Sequence, residues 1–253
     1  VGAGEDWDQF VEYAVSNDLY GIENLSLIPG TVGAAPVQNI GAYGAEVCNA
    51  ILWVEVYNSK AGTVSKLSKE ECQFGYRDSI FKHEEGRDLI ITRVSFILKK
   101  SGTLDLEYKD VKEYFTRKNI LSPSLRELRQ AIIEIRTNKM PDLTKFGTAG
   151  SFFKNPVISK TDYEKLKSKY PLMPFYSVDD VHVKIPAGWI LDSICHFKGV
   201  KKGNVGVHEK QALVLVNWGG GTAKEIKDLA EEMKLCVKEK TGINLEFEVN
   251  ILG

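Results

Sequence analysis

The stretch from Ile28 to Gly44 constrains this chain more than any other. Four glycines and two prolines fall within these seventeen residues, a density that breaks both a helix and an interior strand. The segment must therefore be irregular and rich in exposed backbone. Two readings are open from composition. A flat or phosphorylated ligand could approach such a surface closely, or the stretch could be a buried loop with tight turns. It is not a P-loop, because no Gly-Lys-Ser/Thr follows, and it is not a G-x-G-x-x-G turn.

Regular elements are legible on either side. Trp7, Phe10, Val11, Ala14 and Val15 recur at helical spacing, with Glu5 and Asp6 ahead of them where negative charge suits the helix dipole. Ile51–Tyr57 and Leu89–Leu98 are rich in β-branched and aromatic residues and read as strands, with a hairpin turn over Asn58–Gly62. Helical patterning returns after Lys109. Ser122 and Pro123 then open a helix whose face is Leu125, Leu128, Ile132 and Ile135, and Pro141 ends it. Ser159 and Asp162 have the spacing of a capping box, as do Thr222 and Glu225. The second box starts a helix with Ile226, Leu229, Ala230, Met233, Cys236 and Val237 on its apolar face and Gly242 at its end. From Ile243 to Ile251 apolar and polar residues alternate strictly, so a strand is expected with Glu246 and Glu248 turned to solvent. The pattern gives one α/β unit to about Lys100, a helical connector, a second α/β unit from about Pro141 and a returning strand.

The 33 basic and 34 acidic residues nearly cancel, which argues against a general nucleic-acid binder. A basic pocket for a polyanion remains compatible with that balance. No apolar run reaches the length of a bilayer span. Cys48, Cys72, Cys195 and Cys236 lie far apart and read as reduced, mostly buried thiols. No metal site is expected, since the histidines lack ligand spacing. His83 and His182 read as surface residues, His196 and His208 as structural ones.

Two further segments could carry chemistry. Arg77 stands between Tyr76 and Asp78 in Phe74–Ser79, and its fork suits a carboxylate ligand; a solvated Arg–Asp pair is the plainer reading. Ser151 follows Gly147 and Gly150 and precedes Phe152 and Phe153, as an exposed hydroxyl on a tight turn would. It lacks the framing of a hydrolase nucleophile.

Taken together, these segments resemble a known family. Pro29–Gly44, Phe74–Lys82, Arg136–Asp142, Gly147–Pro156, Ala187–Asp192, His208–Val214 and Leu245–Val249 resemble, in order and over essentially the whole chain, the bacterial UDP-N-acetylenolpyruvoylglucosamine reductases. Tyr108 resembles a substrate-loop tyrosine of the subtype with an extra loop. The resemblance implies an α+β protein of two α/β sub-domains: the remaining part of a PCMH-type FAD-binding domain, and a C-terminal substrate-binding domain. It implies the second half of the FAD-binding domain over 1–101, a helical connector with the substrate loop over 102–140, the substrate-binding domain over 141–240, and a returning strand over 241–253 that contributes to the active site.

The activity so implied is reduction of UDP-N-acetylglucosamine enolpyruvate to UDP-N-acetylmuramate, with non-covalent FAD as cofactor and NADPH as co-substrate, for peptidoglycan synthesis in the bacterial cytoplasm. Arg77 matches the cation that stabilises the enolate-like charge, Glu248 its companion and Ser151 the proton donor. Glu248 would then face the site, against the solvent reading above. Lys139, Asn155, Gln211 and Tyr108 match positions that hold the diphosphate and uridine, and Tyr76 is taken with them as substrate-binding. Pro29, Gly30, Gly33, Ala34, Ala35, Asn39, Gly41, Ala42 and Tyr43 match the flavin segment. Ala34 and Ala35 stand where hydroxyl residues are frequent, and Asn250 where a basic residue is expected.

No His or Cys in the first segment suits covalent flavin attachment, which disfavours the sugar-oxidase relatives. A monomer is expected, with no nucleic-acid or membrane partner. The competing reading is a non-catalytic UDP-sugar-binding protein that has lost the flavin. The family carries a further N-terminal sub-domain with a Gly-rich loop for the FAD pyrophosphate. The resemblance therefore implies that Val1–Gly4 is the tail of a strand, and that these residues alone bind FAD weakly or not at all.

Overall fold

The computed structural model describes residues 1–251 and divides into two compact units, Val1–Asn138 and Lys139–Gly253. The expected returning strand over 241–253 thus has its last two residues outside the described ones. Residues 102–138 of the expected connector fall in the first unit, and Lys139 and Met140 in the second.

In the first unit, helix α1 (Trp7–Ser16) starts where Asp6 accepts a hydrogen bond from the Gln9 amide at 2.9 Å. Its buried face, Trp7, Val11, Ala14 and Val15, is the one the sequence periodicity marks. The Gly-rich stretch contains a small hairpin, β1 (Gly41–Ala42) with β2 (Ala45–Glu46). Strand β3 (Ile51–Asn58) is central in an antiparallel sheet, between β4 (Thr63–Ser68) and β5 (Leu89–Phe96). Val1 to Ala3 run antiparallel beside β5, with Gly2 opposite Arg93. The expected hairpin turn over Asn58–Gly62 joins β3 to β4, a strand with no pattern of its own in the sequence. Each of its residues is exposed or half-buried, so it lacks the apolar alternation that marks a strand. The core gathers Trp7, Val11, Ile22, Leu25, Val54 and Val94.

Helices α2 (Lys109–Arg117) and α3 (Leu125–Lys139) enclose a smaller cluster of Val111, Tyr114, Phe115, Leu128 and Ile132. Ser124, and not Ser122 with Pro123, opens α3. Its hydroxyl accepts from the Glu127 amide at 3.3 Å while the Glu127 carboxylate accepts from the Ser124 amide at 2.7 Å.

In the second unit, β6 (Val157–Ser159) leads into helix α4 (Lys160–Lys169), capped by Ser159 at the Asp162 amide. A small antiparallel sheet places β8 (His182–Lys184) between β6 and β7 (Tyr176–Ser177). One helical turn, α5 (Ala187–Trp189), continues into a π-helical stretch, Ile190–Ile194, a geometry that often marks functional regions. Strands β9 (Lys201–Lys202), β10 (Val205–His208) and β11 (Gln211–Asn217) form a third sheet in the order β11-β10-β9. Helix α6 (Ala223–Thr241) carries the full capping box between Thr222 and Glu225, and Gly242 closes it at φ 76°. Its Leu229, Ala230, Met233 and Val237 join Phe153, Met173, Ile185, Leu191 and Leu215 in the core.

Beyond α6 the expected strand is reduced to one bridge, Phe153 opposite Phe247. Ile243 and Leu245 are buried and Asn244 and Glu246 exposed, as alternation requires. From Phe247 to Val249 all residues are half-buried, and Glu248 is not on a solvent face. His196 also departs from expectation. It is exposed and left-handed at φ 58°, so it fills no core position.

Candidate active site

In the first unit the candidate residues gather around Arg77. Gly75 to Asp78 make a two-residue turn closed by backbone hydrogen bonds in both directions, at 3.0 and 3.2 Å. Arg77 takes its third position with φ 54°, a conformation that a type II turn ordinarily reserves for glycine or asparagine. Holding a long side chain there costs about 1–3 kcal/mol, which the surroundings must offset. The guanidinium donates from Nη2 to the Gly41 carbonyl at 2.5 Å and lies 5.2 Å from the centre of the Tyr76 ring. Lys82 donates to the Arg77 carbonyl at 3.2 Å, and His83 pairs with the Asp78 carboxylate at 2.9 Å. Arg77 is thus not a solvated partner of its neighbour Asp78 alone.

Gly41 is small for a reason the sequence does not show. A Cβ there would sit 2.7 Å from Arg77 Nη1 and 2.9 Å from the Ala45 carbonyl oxygen, inside van der Waals contact with both. The Gly-rich hairpin is therefore shaped to the arginine.

The residues expected along the cofactor divide into different environments. Pro29, Gly30 and Ala34 are exposed, and Gly33, Gly41, Ala42 and Tyr43 half-buried. Ala35 and Asn39, placed with them by the sequence reading, are buried, 1% and 0% exposed. Asn39 spends its side chain inside the protein. Nδ2 donates to Glu46 Oε2 and to the Gly75 carbonyl, both at 2.9 Å, and Oδ1 accepts from the Cys48 amide at 3.0 Å. Tyr43 meets Tyr108 edge to face at 5.2 Å. Burial pushes the Tyr43 hydroxyl's pKa up, against the pull of Arg136 beside it.

A cleft of about 390 Å³ lies along the same loop, lined by Ala3, Gly4, Thr31, Gly33, Val37, Phe81, Leu89 and Ile91. Its walls are small or apolar and carry no charged side chain.

The second unit assembles two further groups. Gly147 pairs with Asn217 and Ser151 with Val214, so the loop bearing Ser151 lies along β11. On the other side of that loop, the Glu248 amide donates to the Phe152 carbonyl at 2.9 Å and the Lys154 amide to the Glu246 carbonyl at 3.0 Å. Glu248 is therefore carried on the segment paired with Phe152, the residue next to Ser151.

Asn155 and Gln211 each lie beside the opening of α5. Asn155 Oδ1 accepts from the Ala187 amide at 2.9 Å, and a Cβ on Gly188 would stand 3.2 Å from Gln211 Oε1. The carboxamide of Asn155 is thereby turned with its oxygen toward Ala187. Lys139 is the last residue of α3 and is half-buried. The thiols are not part of these groups. Burial, helped by Glu71 and Glu70 at Cys72 and by neighbouring Cys236 at Cys195, pushes both pKa values up to about 12.

Comparison with known proteins fits this division. Residues 1–68 match a family model described as an FAD binding domain, and residues 142–252 match the C-terminal domain of UDP-N-acetylenolpyruvoylglucosamine reductase. Proteins of that name from Flavobacterium johnsoniae and Photobacterium profundum are 43% and 45% identical. The alignments cover 99% and 100% of this chain, and 74% and 72% of those proteins. The chain belongs to the UDP-N-acetylenolpyruvoylglucosamine reductase family. A crystal structure of the reductase from Thermus caldophilus superposes with a TM-score of 0.66 at 25% identity, over 99% of this chain and 71% of that one. As a member of this family, the chain is an α+β protein with an FAD-binding domain and a reductase C-terminal domain. No helix among the described residues is long and apolar enough to cross a membrane.

Proposed function

We propose that this protein reduces UDP-N-acetylglucosamine enolpyruvate to UDP-N-acetylmuramate with NADPH, as a monomer in the bacterial cytoplasm, for peptidoglycan synthesis. The observation that supports this most is the Arg77 turn. A strained arginine is clamped against the Gly-rich segment in a chain whose relatives carry the reductase name over its whole length.

When bound non-covalently, FAD supplies the hydride, taken from NADPH, that ends on the vinyl carbon of the substrate. The chain's own residues manage the charge and the proton. Arg77 holds the substrate carboxylate, where negative charge grows during hydride addition, and a preorganised cation is worth most at such a place. Glu248 acts as its companion. The Ser151 hydroxyl gives its proton to the carbon bearing the carboxylate; a weak acid can do so only when held in line with a strongly basic carbon. Lys139, Asn155, Gln211, Tyr76 and Tyr108 hold the sugar nucleotide, one lysine and several neutral donors sufficing for a polyanion on a near-neutral chain. The cofactor surface is Pro29, Gly30, Gly33, Ala34, Gly41, Ala42 and Tyr43.

The test separates the half-reactions of the complete, flavin-loaded protein by stopped-flow absorbance. Ser151→Ala should leave flavin reduction by NADPH nearly intact. Flavin reoxidation by the enolpyruvyl substrate should fall by about 10²- to 10⁴-fold. Equal losses in both steps, or in neither, would remove Ser151 from the role. A purified protein that binds the UDP-sugar but shows no flavin absorbance would establish the non-catalytic alternative instead.

A further inference from the structure

The turn that carries Arg77 is fastened to the Gly-rich segment at three successive points. Ahead of the arginine, the Gly75 carbonyl accepts from Asn39 Nδ2 at 2.9 Å. At the arginine, Nη2 donates to the Gly41 carbonyl. Behind it, the Ser79 hydroxyl donates to the Val37 carbonyl and accepts from the Phe81 amide at 3.3 Å. Asn39 and Ser79 are both fully buried, so neither side chain is placed to touch a ligand. Their bonds run between the two loops, one on either side of the left-handed residue. A backbone strained by about 1–3 kcal/mol persists only where its surroundings over-determine it, and here the two buried side chains do so.

We infer that Asn39 and Ser79 are positioning residues for the reaction: they hold the Gly75–Asp78 turn against residues 37–41 so that the Arg77 guanidinium is presented in one orientation. The inference rests on the proposed role of Arg77 at the substrate carboxylate. It assigns Asn39 away from cofactor binding, and it gives Ser79 a part that its position after Asp78 does not suggest. Gly41, Val37 and Gly75 act through main-chain carbonyls, so the two side chains are the parts that substitution can remove cleanly.

A residue that works only through Arg77 must lose its effect once Arg77 is gone, which a double-mutant cycle measures. Ser79→Ala and Asn39→Gly are made in the complete, flavin-loaded protein, each alone and each with Arg77→Ala. Glycine is chosen at Asn39 because the native φ of 45° is open to it without strain. In the single variants, reoxidation of reduced flavin by the enolpyruvyl substrate should slow by about 10- to 100-fold, the scale of a misplacement near 1 Å. Reduction by NADPH should stay within about twofold. In the Arg77→Ala background neither substitution should slow reoxidation further. A further slowing there, or equal damage to both half-reactions, overturns the positioning role. If Arg77→Ala itself leaves reoxidation unaltered, the underlying reading of Arg77 fails, and that outcome is distinct from the others. If Ser79→Ala loses its flavin, Asn39→Gly decides the matter, since it alters no atom of the Ser79 cap.

Discussion

Replacing Asp8 by asparagine should destabilise the first unit more than any exposed substitution could. Asp8 lies in the first turn of α1 and meets Arg129 of α3, which grips it as a fork, from Nη1 to Oδ1 at 2.7 Å and from Nη2 to Oδ2 at 3.0 Å. The Leu27 amide donates to the same Oδ1 at 2.6 Å. The Arg129 side chain is only 10% exposed and that of Asp8 26%. Removing one member of a buried pair typically costs about 3–5 kcal/mol, because the other charge is left without compensation. Partial exposure of Asp8, and the oxygen that asparagine keeps for Leu27, bring the expectation to roughly 2–4 kcal/mol.

Burial tends to raise the Asp8 pKa, but the Arg129 and Leu27 hydrogen bonds and the charges of Arg129 and Arg136 outweigh it, so the folded pKa lies below the usual value. A carboxylate depressed in the folded state stabilises above its unfolded pKa, about 3.9, and that contribution fades as pH falls through the folded value. Urea unfolding of wild type and Asp8→Asn at pH 7 should show the full gap, and the gap should narrow progressively below about pH 4. A difference under about 1 kcal/mol at pH 7 would refute the argument, since it lies below the range for breaking a buried pair. So would a gap that persists unchanged into acid.

Two more outcomes follow from packing and burial. Gly206→Ala, in β10, would place a Cβ 2.3 Å from the Val200 carbonyl oxygen and 2.7 Å from the Trp218 ring. Urea unfolding followed by fluorescence should report a loss of about 1–3 kcal/mol for this overpacking, with a changed native Trp218 signal; an unaltered midpoint would show that the strand yields freely. Cys72 is fully buried and its thiol is pushed up to about 12 by burial and by Glu71 and Glu70. Mass-spectrometric mapping after treatment with a disulfide reagent at pH 8 should therefore find it unmodified in the native protein and modified in urea, and rapid native modification would contradict the burial.

The sequence and the structure part company wherever the deciding bond is made to a residue far along the chain. Helix α6 is legible end to end because its signals are local: Thr222 and Glu225 three residues apart, an apolar face at helical spacing, and Gly242 with its positive φ. The Thr63–Ser68 strand is invisible for the opposite reason, since both of its faces meet solvent or half-burial and no alternation is imposed. Glu248 shows how a regular pattern can mislead. Alternation from Ile243 points it outward, yet pairing of its segment with Phe152 and Phe153 ends the alternation at Phe247 and leaves Glu248 half-buried.

The Gly-rich stretch admits two readings in sequence, and the structure supports each at different residues. Thr31 and Gly33 line an open cleft, whereas Ala35 and Asn39 lie in the core. Asparagine in such a loop looks like a donor offered to a ligand, because its chemistry is the same whether it faces inward or outward. What separates the two is the set of groups within its reach: the Glu46 carboxylate, the Cys48 amide and the Gly75 carbonyl, the last 36 residues away and also bonded to the Asp78 amide within the Arg77 turn. The asparagine's inward turn is therefore decided by partners 7, 9 and 36 residues away, and no local pattern around residue 39 could have supplied the last of them.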